Sequence, residues 1–303
     1  MKMTPRCTYC LMSRVHYQSE LSTKDPEVIA RVMKACLETL AENYSEDRVS
    51  TSVASEVHRT CYRVLNDSDP YRRVKAENNR TALEMLPFGR KLIFGEAADG
   101  EACTIDSSPY PLREIFRRAV LVSVIGNYFD FGIMGADATD DDFKRRFDLF
   151  FREGLFIDDT EKMFSMLDNV VYLIDNCGEI IFDREVFDII RRAGGHVTLV
   201  VRGKAILTDV TMTEAEELGL GDHVDRILTT GTDSVGLAPG EAPAETLEAM
   251  RKASLIISKG MANFESLSDA DFRPIAYLMR TKCESVSEAV GVPMNKSVAK
   301  LVL

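Results

Sequence analysis

No stretch of this 303-residue chain reaches the roughly 18 apolar residues of a membrane-spanning helix. The opening Met1-Lys2-Met3-Thr4-Pro5-Arg6-Cys7 lacks the apolar core of a secretory leader. Both absences point to a cytoplasmic protein. Histidine is scarce: four residues, at positions 16, 58, 196 and 223, share no motif. Cysteine is too scattered for a disulfide framework, with seven at positions 7, 10, 36, 61, 103, 177 and 283. Only Cys7 and Cys10 lie close together, and no second close pair completes a four-cysteine zinc site. That pair reads either as a zinc or redox element or as two small residues in a first helical turn. Positive charge is in deficit, 37 Lys and Arg against 48 Asp and Glu, a net charge of −11. Such a balance argues against nucleic acid or an anionic membrane as partner and leaves room for a local basic pocket. Repeats and low-complexity segments are missing, and so is the G-x-G-x-x-G of a dinucleotide site.

What is there changes character near residue 168. Before it the patterns are helical. Asp25-Pro26 opens a run in which Val28, Ile29, Val32, Met33, Cys36, Leu37 and Leu40 recur near a 3.6-residue period. Further helices are expected over 50–65, 71–86, 112–125, 140–152 and 158–167. Pro87-Phe88-Gly89 is expected to end one of them and to begin a loop over 88–110. After residue 168, apolar runs at Val170–Ile174, His196–Val201, Val224–Leu228, Ser254–Ser258, Ile275–Met279 and Ser297–Val302 alternate with helical stretches near 179–192, 211–218, 242–251 and 283–290. This rhythm predicts an α/β fold: a Rossmann-like, mostly parallel sheet with helices on both faces. The expected organisation is a helical N-terminal domain or cap over 1–168 and an α/β metal- and phosphate-binding domain over 169–303.

In such sheets ligands bind beyond the carboxyl ends of the strands, so the residues after each run carry the chemistry. The first run leads into Asp175-Asn176-Cys177-Gly178-Glu179, hard oxygen donors followed by a helix start. That chemistry suits Mg²⁺ or Mn²⁺, or a phosphate at the helix N-terminus; ordinary turn and capping roles are the alternative. The second run leads into Arg202-Gly203-Lys204, an anion site by composition, and then to Asp209, a further donor or an N-cap. The third ends in Thr229-Thr230-Gly231-Thr232, whose hydroxyls and backbone amides suit a phosphate or an ordinary polar loop. The fourth ends in Ser258-Lys259-Gly260, with Asn263 and Glu265 following. A lysine closing a buried strand needs an anionic partner. In the helical half, Gly126-Asn127 and Asp130 follow an apolar helix. Buried Asn and Asp need partners, which a neighbouring active site or a local turn supplies.

Taken together, Asp175-Asn176-x-Gly178-Glu179 with Phe182-Asp183, Asp209-Val210-Thr211, Lys259-Gly260-x-x-Asn263-Phe264-Glu265 and Gly126-Asn127-x-x-Asp130 resemble the motifs of the metal-dependent damage-control phosphatases, the family catalogued as domain of unknown function eighty-nine. The resemblance spans Cys7 to Lys282-Cys283, and Cys7-x-x-Cys10 is similar to the pair of a prokaryotic subfamily. Cys177 departs from it, standing where a residue such as alanine is expected. The resemblance implies hydrolysis of small phosphate monoesters, such as sugar phosphates or related damaged metabolites, with a divalent cation (Mg²⁺, Mn²⁺, Co²⁺ or Ni²⁺). It places Asp175, Asn176 and Asp209 at the metal. Catalytic roles fall to Asp175, Glu179, Asp130 and Lys259, and substrate contacts to Asn127, Arg202, Lys259, Asn263 and Glu265. The nucleophile, water or aspartate, stays open. Two other readings remain: an S-adenosylmethionine-dependent carboxyl methyltransferase, and a non-enzymatic metal-binding interaction protein built on Cys7 and Cys10.

Overall fold

The computed structural model describes residues 1–127 and 140–303. The chain starts with three helices, α1 (Pro5–Ser22), α2 (Pro26–Asn43) and α3 (Ser50–Leu65). The Asp25 side chain accepts from Glu27 N at 2.9 Å and caps α2, as its position before Pro26 suggests. One stripe of α2 is buried, Val32, Cys36 and Leu40, while Leu37 faces outward. These residues form their own core with Val15, Val53, Val57 and Cys61.

The next helix departs from expectation. Instead of stopping at Pro87, α4 runs unbroken from Arg72 to Phe94. A proline inside a helix forfeits one backbone hydrogen bond. The loss is offset by burial of Ala82, Met85, Gly89, Ile93 and Phe94 along the inner face. Gly89 lies so close to the sheet-facing layer that a Cβ there would meet Phe182 at 2.9 Å. The helix ends at Gly95 (φ +91°), where the positive φ suits glycine. The loop expected over 88–110 therefore begins only there. Helix α5 (Leu112–Gly126) follows, then α6 (Asp140–Glu153) and the short α7 (Thr160–Phe164), less than the helix expected over 158–167.

Seven strands make one sheet in the order β1-β7-β6-β5-β2-β3-β4. They are β1 (Ile157–Asp158), β2 (Asn169–Leu173), β3 (His196–Val201), β4 (Arg226–Thr229), β5 (Leu255–Lys259), β6 (Ile275–Arg280) and β7 (Ser297–Val302). All neighbours are parallel except β6 and β7. Two residues carry no periodicity, so β1 had no signature in the sequence. It pairs in parallel with β7 through Ile157↔Val298.

Strand alternation splits the interior into two layers. Val170, Tyr172, Leu199, Leu255 and Ile257 face one core with α4, α5 and α8 (Glu179–Arg192). Val171, Leu173, Val200, Ile256 and Tyr277 face the other, with α10 (Ala244–Lys252), α11 (Gly260–Leu267) and α12 (Glu284–Val290). Helix α9 (Met212–Glu217) lies between β3 and β4 in the chain. Both faces are thus covered, as the continuous apolar runs require. The chain leaves β2 toward β3 and β4 on one side, then returns to place β5 and β6 on the other. The connections reverse between β2 and β5, the position where ligands sit in open α/β sheets.

Candidate active site

Asp175 and Asn176 leave the end of β2, and Asp209 arrives on the loop after β3. These two loop segments lie side by side as an antiparallel bridge, Asn176↔Asp209. Two backbone bonds hold the bridge: Cys177 N to Thr208 O at 2.8 Å and Val210 N to Asp175 O at 3.0 Å. The three residues expected at a metal are therefore neighbours. Arg202 ties the carboxylates from below. Its Nε donates to Asp209 Oδ2 at 2.5 Å, one terminal nitrogen lies 3.7 Å from Asp175 Oδ1, and both terminal nitrogens reach Asn263 Oδ1 at 3.2 Å.

A second group adjoins the first. Asn127 Nδ2 donates to Glu179 Oε2 at 2.5 Å and reaches Asp175 Oδ2 at 3.4 Å. Lys259, fully buried, lies 2.5 Å from Glu179 Oε1 and donates to Asp183 Oδ1 at 2.7 Å. Its Nζ also donates to Ser123 Oγ at 2.5 Å, and Ser123 in turn donates to Asp183, as does the Tyr172 hydroxyl. Asn263 Nδ2 donates to the carbonyls of Ile174 and Lys259, bracing the ends of β2 and β5 together.

Backbone geometry brings these groups close. Gly260 has φ +77°, and a Cβ on it would fall 1.9 Å from Asp175 Oδ2. Only glycine leaves room for that carboxylate while adopting that φ. A Gly260→Ala variant is expected to lose about 2 kcal/mol of stability or more, from the strained φ and the clash, and to displace Asp175. Urea denaturation checks the first effect and divalent-cation affinity the second. Gly178 (φ +86°) makes the corresponding turn into α8.

The electrostatics are unbalanced. Among the described residues, Asp175, Glu179, Asp183 and Asp209 are four linked carboxylates against the linked cations Arg202 and Lys259, a formal −2 before Lys282 at the margin is counted. Burial, then the charges of Asp209 and Glu179, pushes the Asp175 carboxyl well above its usual range against the pull of Arg202. Burial also raises Glu179, with Lys259 opposing. Burial works against the charge on Lys259, but Asp183 and Glu179 outweigh it and hold the ammonium above its ordinary value.

The donor chemistry fits a hard divalent cation: two carboxylates and a carboxamide beside surplus negative charge. Asn176 turns its amide nitrogen to Asp175 Oδ2 at 2.6 Å while its oxygen accepts from Thr208 Oγ1 at 2.7 Å. For the oxygen to face a cation the amide turns over, and the Thr208 hydroxyl, a donor and an acceptor, suits either orientation. Among the described residues no three of His, Cys, Asp and Glu converge as a metal site, so the set depends on the Asn176 oxygen. Cys7 sits half-buried in the first turn of α1, and Cys10 is exposed in the second. The Cys177 thiol, also pushed up by burial, belongs to the apolar core.

Not every expected residue joins the group. Asp130 lies outside the described residues. Glu265 faces the other way: its carboxylate accepts from Ser50 Oγ at 2.5 Å, and its carbonyl accepts from the Met1 amine. Arg202 and Lys259, expected at a phosphate, are both buried and each is already paired with carboxylates. Sequence reasoning passed over Ser123, Asp183 and Lys282 as site residues. Lys282 is half-buried, and its ammonium reaches the Asn127 carbonyl at 2.6 Å. Its signal in the sequence is its place just after the apolar run at 275–279, the counterpart of Lys259 at the end of its own strand.

The damage-control phosphatase ARMT1-like domain model matches residues 3–298. A damage-control phosphatase of Archaeoglobus fulgidus is 38% identical over 303 residues, covering all of both chains. An uncharacterised protein of Methanocaldococcus jannaschii is 31% identical, covering 98% of this chain and 94% of that one. The crystal structure of a DUF89 family protein from Pyrococcus horikoshii superposes with a TM-score of 0.84 at 27% identity, over 99% of each chain. The chain belongs to the damage-control phosphatase ARMT1-like family, as its motifs imply.

Proposed function

We propose that this protein hydrolyses small phosphate monoesters with a divalent cation held by Asp175, Asn176 and Asp209. The observation that carries the reading is the convergence of these three oxygen-bearing side chains, from two separate loops, at the point where the strand order reverses. The surplus negative charge around them supports it. When bound, the cation polarises the phosphoryl group and lowers the pKa of a coordinated water.

The chain's own residues divide the remaining work. Arg202 holds Asp175 and Asp209 together and offsets part of their repulsion. Lys259 anchors Glu179 from the buried side and Asn127 from the other, which leaves Glu179 one orientation. Its raised affinity for a proton suits Glu179 to give one to the leaving oxygen or to take one from the attacking water. Lys282, beside Asn127, supplies positive charge where phosphoryl oxygens gain negative charge. Sugar phosphates and related damaged metabolites are the proposed substrates.

The test is phosphate release from a panel of such monoesters, with Mg²⁺, Mn²⁺, Co²⁺ and Ni²⁺ in turn. Release is expected with at least one cation, to stop with a chelator and to return when the cation is restored. Release indifferent to the chelator removes the metal. No release across the panel, together with tight binding of S-adenosylmethionine, replaces hydrolysis with methyl transfer.

A further inference from the structure

One stripe of α4 grips both loops of the proposed metal site. Lys75, Asn78 and Asn79 stand three and four residues apart, so they share a face, and all three are buried. Asn79 Oδ1 accepts from Gly178 N at 2.7 Å. That amide opens α8 with no side-chain cap from its own segment, so α4 supplies the cap from outside. Asn78 backs the same turn: a Cβ on Gly178 would come within 3.2 Å of both its Cβ and its carbonyl oxygen.

The second grip starts at Lys75, only 2% exposed. Its Nζ lies 2.5 Å from Glu214 Oε1 and 2.7 Å from Asp69 Oδ2. The other oxygen of Glu214 accepts from Thr211 N at 2.8 Å and Thr211 Oγ1 at 2.5 Å, closing the capping box of α9. Thr211 stands two residues after Asp209. The bridge that carries Asp175, Asn176 and Asp209 is therefore held at the Gly178 end by Asn79 and at the Thr211 end by Lys75 through Glu214. These contacts fall on the backbone and capping groups of the two loops, and each fixes where one of the loops can lie.

We propose that Lys75 and Asn79 are positioning residues that set the spacing of the two ligand loops, and with it the affinity for the divalent cation. The inference rests on the metal centre proposed above. Outer groups that orient metal ligands typically contribute about 10-fold to 100-fold in affinity.

Titration of the purified full chain with Mn²⁺ alone, followed by calorimetry, tests this without substrate or turnover. Asn79→Leu removes the acceptor while keeping the branching and the number of heavy atoms, and is expected to weaken Mn²⁺ binding about 10-fold to 100-fold. Asn79→Asp keeps an acceptor oxygen and is expected to escape most of that loss. Lys75→Met is expected to weaken binding in the same direction as Asn79→Leu. Glu77→Gln, on the exposed face of the same helix, is expected to change nothing. Circular dichroism shows which variants fold, and Asn79→Leu and Lys75→Met each stand in for the other. Parent-like Mn²⁺ affinity in a folded Asn79→Leu or Lys75→Met chain overturns the positioning role and leaves the metal centre standing. A parent chain that takes up no Mn²⁺ removes the metal centre, and this role with it.

Discussion

Asp175→Asn is expected to lower metal-dependent phosphate release by on the order of 10³-fold, the scale of losing a group that organises transition-state charge. Asp175 is the residue on which the two halves of the site meet. One oxygen faces Arg202 and the other faces Asn127 and Asn176. The Asn side chain keeps the shape and removes the charge, so Arg202 is left with Asp209 alone. Folding is expected to survive, because in the parent chain burial beside Asp209 and Glu179 already disfavours the charged form of Asp175. The expected signature is a folded protein, normal by thermal unfolding, with its activity lost. Full cation-dependent activity in this variant would exclude Asp175 from the metal.

Lys259→Met carries the largest expected cost to stability, about 3–5 kcal/mol, because removing one partner of a buried ion pair leaves the other uncompensated. Here two carboxylates lose their counter-charge at once, Glu179 and Asp183, both buried to within 1%. The variant relieves this by protonating Glu179, whose carboxyl burial already pushes above its ordinary value against the pull of Lys259; with Lys259 gone it rises further in the folded state above the unfolded value. A group shifted that way contributes stability below its unfolded pKa and loses it as pH rises. The deficit relative to the parent chain is therefore expected to be widest near pH 8 and to narrow toward pH 5. Urea denaturation at the two pH values measures it. A deficit independent of pH would mean that lost packing, not charge, dominates.

How far the sequence reveals this arrangement depends on the kind of residue. Asp175, Asn176, Asp209 and Lys259 stand out because each follows an apolar run, and strand ends are where α/β sheets place their chemistry. The parallel sheet is legible for the same reason: runs such as Val170–Ile174 are apolar on both faces, which only a doubly covered sheet needs. Two-residue β1 has too few positions to show a period, and its place is set by β7. The passage of α4 through Pro87 is decided by packing of Gly89 and Ile93 against a distant helix, which no local pattern expresses. Ser123, Asp183, Lys75 and Asn79 sit inside helices that read as ordinary amphipathic stretches. Their roles arise from partners 60, 76, 139 and 99 residues away. Glu265 shows the converse: it follows the same strand end as Lys259 and Asn263, but the turn of α11 carries it round to Ser50. Spacing along a helix decides which face a residue takes, and position after a strand does not.

Anomalous diffraction from crystals of the protein soaked in Mn²⁺ gives the most direct view of the metal site. The expected result is one strong manganese peak within coordination distance of oxygens from Asp175, Asn176 and Asp209, with the Asn176 amide turned over so that its oxygen faces the ion. A peak elsewhere in the molecule, with the Asn176 amide nitrogen still on Asp175 and cation-dependent hydrolysis intact, would contradict the site.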